Sequence, residues 1–366
     1  MSKFKVIQLL PELNIGGVER GTKDFSKVLV ERGHDSLVIS NGGIFEKDII
    51  EDGGKHINLP IHKKSLFSIR YASDLRDIYL SEKPDIVHVR SRMPAWINYF
   101  AYKKLSHKPL LVSTFHGLYS TPLYSQVMSK VDHIIAISKT VKDYIHGTYK
   151  VPNEKITVIP RGCDPEIFNK NPVEETWIKK WYEEFPQTQD KIILTMPTRI
   201  SKWKGVDSFI DLVSLLDDDN YHAFIVGPTA KSKKSYLKQL QNKISNYGIE
   251  DKITITGSRN DISNIYKISD FVFNLSIKPE PFGRTTIEAI SSGSKVIGWN
   301  HGGTKEILEE LYPDGLVELD NIDDLAEKVI NLSNMTNNMP KENIFTSERM
   351  TNQTISLYQD LLAKRL

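Results

Sequence analysis

Short runs of apolar residues alternate with amphipathic helical stretches along this chain, and that alternation limits its fold more than any other feature. Phe4 to Leu10 is apolar apart from Lys5 and Gln8, and a breaker-rich turn, Pro11 to Gly17, follows it. Val18 to Arg32 then carries Phe25, Val28 and Leu29 on one helical face, Gly33-His34 closes the helix, and Ser36 to Ser40 is again strand-like. A strand, a helix and a second strand joined in this way open a parallel sheet. Further strands are predicted at 85–89, 110–114, 133–137 and 156–159, with helices at 66–83, 96–105, about 122–130 and 138–146 between them. Ser138 is placed to cap the last of these helices, since its hydroxyl can accept an orphan N–H.

Pro165, Pro172 and Pro186 interrupt the pattern, and Trp177 and Trp181 lie four apart on one helix face between them. A second alternation follows, with strands at 192–196, 222–226, 253–256, 271–275 and 295–298 and a short final edge at 315–317. Its helices are predicted at 206–217, 232–247, 261–268, 285–292 and 304–309, and the chain ends in two more, about 322–332 and 347–365. Asp217-Asp218-Asp219 reads as a helix terminus in solvent, and Asn260-Asp261 as a cap for the helix at 261–268. A chain of 366 residues is long for one core and comfortable for two. The expected fold class is therefore α/β, with two doubly wound domains whose sites gather at the carboxyl ends of the strands and face a shared cleft.

Composition removes several function classes. The single cysteine, Cys163, allows neither an internal disulfide framework nor a thiolate metal cluster, and reads as a small buried apolar residue. A formal net charge of +2 gives nucleic-acid binding no global support. No eighteen-residue apolar run exists, and the N-terminus lacks the apolar span of a signal peptide. Cytoplasmic residence is expected, with peripheral contact to a membrane left open. No HExxH occurs, and no metal site is expected.

Four loops look built for a ligand. Gly16-Gly17-Val18-Glu19-Arg20 opens the first helix, where two glycines let a ligand approach and expose N–H groups to an anion. Thr198-Arg199-Ile200-Ser201-Lys202-Trp203-Lys204-Gly205 follows the first strand of the second half; Arg199 can hold a phosphate by its fork and Lys204 as a point charge. The third runs from Lys278 to Glu288 as strand, polar turn and helix. Glu280 lies on the turn and Glu288 on the helix, with Gly283 and the first helical N–H groups forming an anion-sized nest between them. A carboxylate such as Glu288 suits two vicinal hydroxyls. The fourth is Phe115-His116-Gly117, at the carboxyl end of a strand, where a histidine can donate, accept or change charge near neutrality. Each also has a plain structural reading: a turn, a solvated basic loop, an acidic helix start, and a histidine bonding a neighbouring loop.

Taken together and in this order, the motifs resemble retaining glycosyltransferases of the GT-B fold, family 4, over nearly the whole chain. The strongest match is Pro-Glu-Pro-Phe-Gly-Arg-Thr-Thr-Ile-Glu-Ala, carrying Glu280 and Glu288 with seven residues between them. Thr114-Phe115-His116-Gly117, Ile137-Ser138, Ile159 to Pro165, and Arg199 with Lys204-Gly205 also match. The resemblance implies that Glu288 binds ribose hydroxyls, that Arg199 and Lys204 bind a diphosphate, and that Gly16-Gly17 approaches the phosphates. It implies that Glu280, with the backbone at Phe282-Gly283-Arg284, holds the donor sugar. Thr285 or Thr286 would cap the phosphate, His116 would touch the sugar, and Gly257-Ser258-Arg259 would lie at the base. His116, Glu280, Arg199 and Lys204 are the expected catalytic group. No cofactor or metal is expected, only a nucleotide diphosphate sugar (UDP or GDP) as donor.

The implied organisation is 1–165 plus a crossover helix at 347–366 as the N-terminal domain, 166–187 as a bridge, and 188–346 as the donor domain. The implied reaction moves a hexose-type sugar to a hydroxyl of a glycan or lipid-linked acceptor, as in lipopolysaccharide or related surface-polysaccharide synthesis. A sugar-nucleotide epimerase or hydrolase on the same fold, and an inactive nucleotide-sugar-binding protein, are the alternatives. Val87 to Trp96 resembles a stretch in bacterial surface-glycan enzymes; Arg90 and Arg92 would meet acceptor phosphates or acidic sugars, or else pair with acids such as Glu19. Lys63-Lys64 and Lys103-Lys104 with His107-Lys108 read as solvated faces, with anionic lipid at the inner membrane as the alternative. The sequence carries no reading of the oligomeric state.

Overall fold

The computed structural model describes residues 3–216, 219–335 and 338–365, and it divides into two units. Asp217 and Asp218, part of the predicted acidic helix terminus, lie outside the described residues. The first unit comprises Met1–Pro160 with Met350–Leu366, and the second Arg161–Arg349.

The first unit holds seven parallel strands: β1 (Lys5–Leu9), β2 (Asp35–Ser40), β3 (Lys55–Asn58), β4 (Ile86–Val89), β5 (Leu110–Phe115), β6 (His133–Ala136) and β7 (Ile156–Val158). Their order is β3-β2-β1-β4-β5-β6-β7, so the winding direction reverses between β1 and β4. The inner strands are buried along their whole length, which is why they read as unbroken apolar runs. The C-terminal helix Ser347–Ala363 enters this unit's core, where Ile355 and Tyr358 pack with Phe4, Phe25 and Leu29. Tyr358 Oη lies 2.6 Å from His88 Nδ1, and His88 Nε2 lies 2.6 Å from Thr114 Oγ1. Burial holds the His88 imidazole well below its usual range.

The second unit holds β8 (Ile192–Pro197), β9 (Tyr221–Val226), β10 (Ile253–Gly257), β11 (Phe271–Asn274), β12 (Lys295–Trp299) and β13 (Leu316–Val317), all parallel, in the order β10-β9-β8-β11-β12-β13. Its winding reverses between β8 and β11, the equivalent point to that in the first unit. The helix Glu175–Glu184, inside the segment read from sequence as a bridge, belongs to this core. Trp181 and Phe185 pack with Ile193, Phe224 and Ile265, and Trp177 stacks on Trp181 with ring centres 5.2 Å apart.

Several local expectations change. Lys55–Asn58 forms an edge strand that the sequence did not announce, because its four residues are only partly buried and carry no apolar run. The predicted helix at 66–83 is a 3-10 turn, Leu66–Tyr71, followed by a helix, Ala72–Glu82. Ser138 caps as expected, accepting the Val141 N–H at 3.0 Å. Asp261 precedes its helix but makes no side-chain cap; its carboxylate is taken by Arg259 and by the Trp177 indole N–H. No helix among the described residues is long and apolar enough to cross a membrane.

Candidate active site

The two loops that follow β8 and β11 flank the reversal point of the second unit, so side chains from both gather at the carboxyl end of its sheet. The first carries Arg199 and Lys204. Gly205 takes a left-handed conformation (φ 74°), and a Cβ there would lie 1.8 Å from the Leu275 carbonyl oxygen. Only glycine permits that approach, and it carries Lys204 to the second loop. The Ile277 N–H donates to the Trp203 carbonyl at 2.9 Å, fastening the loops backbone to backbone.

Glu280 is 8% exposed and its carboxylate is held twice at the same oxygen. Lys204 Nζ pairs with Oε1, and the Ser276 hydroxyl donates to Oε1 at 2.6 Å. Both donors converge on one oxygen, which leaves the acceptor capacity of Oε2 for another hydroxyl. The turn is supported from below by Gly302 and Gly303 at the start of the helix Gly302–Leu311. Gly303 N–H donates to the Glu280 carbonyl at 2.8 Å, and a Cβ on Gly303 would sit 2.4 Å from the Phe282 Cα. His301 Nε2 lies 2.7 Å from the Ser276 carbonyl oxygen. Phe282 points into packing, edge-on to Phe345, so only its backbone is left for a ligand.

Gly283 (φ 103°) precedes the helix Arg284–Ser291, whose first turn separates the two threonines. Thr286 is fully buried and accepts from Asn274 Nδ2 at 3.2 Å. Thr285 instead lines an open depression of about 370 Å³ with Arg199, Lys204, Ser258, Arg259, Tyr266 and Glu288. Pro228 and Ile262 give it an apolar part. Glu288 is 7% exposed and accepts from Arg284 Nη2 at 2.8 Å. The Tyr266 phenol beside it is held well above its usual range, first by burial and then by the Glu288 charge.

Each buried carboxylate thus has one cation of its own, Lys204 for Glu280 and Arg284 for Glu288. Arg259 is committed elsewhere: it binds Asp261 through Nε and Nη2 and Glu184 through Nη1, and its bonds to Asp261 raise its basicity further. The exposed Arg199 side chain makes no ion pair among the described residues, which leaves it the pocket's available guanidinium. The arrangement offers a cationic rim, a helix start, a hydroxyl-accepting carboxylate at each end and an apolar wall. Among the described residues, no group of three or more His, Cys, Asp or Glu side chains could hold a metal ion.

Two sequence models match the chain: glycosyltransferase family 4 over residues 15–167, and glycosyl transferases group 1 over residues 178–347. A solved glycosyltransferase from Rickettsia africae ESF-5 superimposes with a TM-score of 0.85 at 30% identity, covering 99% of each chain. The chain belongs to glycosyltransferase family 4. It is similar to the N-acetyl-alpha-D-glucosaminyl L-malate synthase of Bacillus anthracis, 24% identical over 95% of either chain. It is also similar to the UDP-Gal:alpha-D-GlcNAc-diphosphoundecaprenol alpha-1,3-galactosyltransferase of Escherichia coli, 24% identical over 100% of this chain and 99% of that one. Its two wound sheets are those of a GT-B enzyme, and the protein is a transferase.

Gly257 ends β10 in a left-handed conformation (φ 72°), and the other expected residues of this glycosyltransferase lie in the first unit. Gly16 and Gly17 stand at the start of the helix Gly17–Glu31, after β1, and the Glu19 carboxylate folds back to within 2.1 Å of where a Gly16 Cβ would be. The loop is braced by Gly43, which lies against the Leu13 backbone, and by the Leu13 N–H bond to the Gly42 carbonyl. His116 follows β5, its backbone N–H 3.4 Å from the Tyr119 hydroxyl. Arg90 bonds Gln8 at 2.9 Å and lies over the Phe25 ring, not paired to Glu19; burial pulls its guanidinium down to about 10. Arg92 bonds Thr121 at 3.0 Å and lies over Tyr119 and Tyr124. Sequence reasoning missed Ser276, Gly302 and Gly303. The adjacent glycines before a helix were the available signal for the last two. Cys163 is buried as expected, its thiol 3.2 Å from the Ser291 hydroxyl.

Proposed function

We propose that this glycosyltransferase moves a hexose-type sugar from a UDP- or GDP-sugar to a hydroxyl of a glycan or lipid-linked acceptor, with retention of anomeric configuration and without a metal. The observation that carries the reading is the single depression bringing Arg199, Lys204, Thr285 and Glu288 together at one sheet edge. In this reading Glu288 accepts from the ribose hydroxyls and the base lies against Pro228 and Ile262. The diphosphate is met by Arg199, by Lys204 and by the helix start at Gly283-Arg284-Thr285. Glu280 Oε2 accepts from a hydroxyl of the donor sugar, while Lys204 and Ser276 hold Oε1. Positive charge set in advance around the diphosphate stabilises it as it leaves, which lowers the barrier to bond cleavage. Neither glutamate serves as nucleophile: both are engaged in binding hydroxyls, and the leaving phosphate takes the acceptor proton on the face where the bond breaks.

The likeness to the Escherichia coli UDP-Gal:alpha-D-GlcNAc-diphosphoundecaprenol alpha-1,3-galactosyltransferase supports a UDP-linked donor and a lipid-diphosphate acceptor. A thermal-shift screen of nucleotide sugars tests the donor, because a ligand that binds only the native state raises its apparent stability. UDP- or GDP-sugars are expected to shift the wild type. Glu288→Ala should weaken that binding by about tenfold or more, the loss expected for hydrogen bonds to a charged group. Equal affinity of wild type and variant for every donor that binds would remove the ribose assignment.

A further inference from the structure

The overall charge of +2 conceals a strong segregation. Residues 53–73 and 86–131 contain ten Lys and Arg and no Asp or Glu, so the rest of the chain carries a net −8. These two segments meet in the first unit. The 3-10 turn Leu66–Tyr71 and the turns at 122–129 both pack against the helix Arg92–Lys103. Trp96 of that helix donates to the Tyr124 carbonyl at 2.9 Å, and Lys103 and Lys130 both lie over the Tyr99 ring.

On this basic region stand apolar side chains held in water. Leu66 is 85% exposed, Phe67 84% and Leu123 87%. The turn bearing the first two is firmly built. Ser65 Oγ accepts the Phe67 N–H at 3.3 Å, the buried Ser68 hydroxyl donates to the Lys63 carbonyl at 2.9 Å, and exposed Lys63, Lys64 and Arg70 flank the pair. A neighbouring leucine and phenylalanine fixed outward among cations, with no acid for ten residues on the N-terminal side, do not match the plain solvated face read from sequence. They match an anionic bilayer, where lysines meet headgroups and the apolar pair enters the acyl boundary.

We propose that the Lys63–Arg70 turn of the first unit is a docking surface for an anionic lipid membrane, with Leu66 and Phe67 as the inserting residues. A nucleic acid would use the cations but gains nothing from an exposed leucine, whereas a lipid surface uses both. The proposal extends the lipid-linked acceptor reading above, yet it is measured without donor or acceptor, so either can fail alone.

The test is co-sedimentation of the full chain with vesicles of phosphatidylcholine, with or without phosphatidylglycerol. Wild type is expected to partition onto the anionic vesicles and to be released by salt. Leu66→Ser with Phe67→Ser should lose about tenfold or more in partition, through lost apolar burial, and Lys63→Ser with Lys64→Ser should lose a similar amount and part of the salt dependence. Unchanged thermal unfolding verifies that the variants fold. No partition of the wild type, partition of either folded variant equal to that of the wild type, or binding to single-stranded DNA in place of vesicles overturns the proposal.

Discussion

Lys204 is ion-paired with Glu280 through the single oxygen Oε1, and both side chains are largely out of water, 19% and 11% exposed. Removing one partner strands the other in a poorly solvated site, which costs more than the pair itself contributes. Lys204→Met should therefore lower stability by about 2–3 kcal/mol, at or below the range for buried pairs because some solvent remains. Adding Glu280→Gln to that variant should restore about 1 kcal/mol or more, as expected for residues in direct contact. Urea unfolding of the four proteins of the cycle measures this; strict additivity would mean the pair is not coupled. All three variants should lose transfer.

The two adjacent threonines on the helix Arg284–Ser291 should separate stability from donor binding. Thr286→Val removes a buried acceptor and leaves an Asn274 N–H without its partner, a loss of about 1–3 kcal/mol. Thr285→Ala, at the depression, should change stability by no more than about 0.5 kcal/mol while raising the donor KM. Thermal unfolding alongside donor titration reads both effects, and the reverse pattern would exchange the roles of the two residues.

Gly303 is a contact that a single methyl group should disrupt. A Cβ would meet the Phe282 Cα, carbonyl oxygen and carbonyl carbon between 2.4 and 2.6 Å, all backbone and unable to swing aside. Gly303→Ala should cost about 2 kcal/mol or more and reduce transfer, because the Glu280 turn must move. Gly21→Ala is the contrast: nothing lies within 4 Å of its Cβ, and in a helix interior alanine should add up to about 1 kcal/mol. Melting curves and initial rates of the two variants decide this.

Acid should weaken the second unit through His222, which is 3% exposed on β9 with Nε2 2.9 Å from Thr254 Oγ1. Burial lowers its pKa from 6.5 to about 4. The native state keeps it neutral and the unfolded chain binds the proton first, so stability is full above pH 6.5 and falls as pH drops toward 4. The loss from this group amounts to about 3 kcal/mol across that window. His222→Gln should flatten the acid limb of the stability profile, seen in urea midpoints between pH 4 and pH 7. An unchanged slope would assign the limb to other groups, among them buried His88 and His133, whose pKa values are also lowered by burial.

Much of the architecture was legible because buried parallel strands must be apolar on both faces, and β1, β4, β5, β9 and β11 write that requirement directly into their residues. The turn from Glu280 to Glu288 was legible for a related reason: a glycine, a helix start and two carboxylates lie close together in the chain. Lys55–Asn58 was not, because an edge strand needs no such run. Nor was the place of the Glu175–Glu184 helix, since the prolines around it suggested a bridge while its tryptophans belong to the second unit's core. Thr285 and Thr286 were interchangeable in sequence, and only the helix phase distinguished them.

Local patterning alone was enough for two wound domains and for the residue types of the site, since periodicity and turn chemistry act over a few neighbouring positions. Partner choice was left to the tertiary structure. Lys204 meets Glu280 across 76 residues because Gly205 lets the two loops touch, and Arg259, in the loop after β10, is drawn to Asp261 and Glu184. A buried charge takes the nearest opposite charge that packing brings to it, and distances of that kind arise only when the chain has closed on itself.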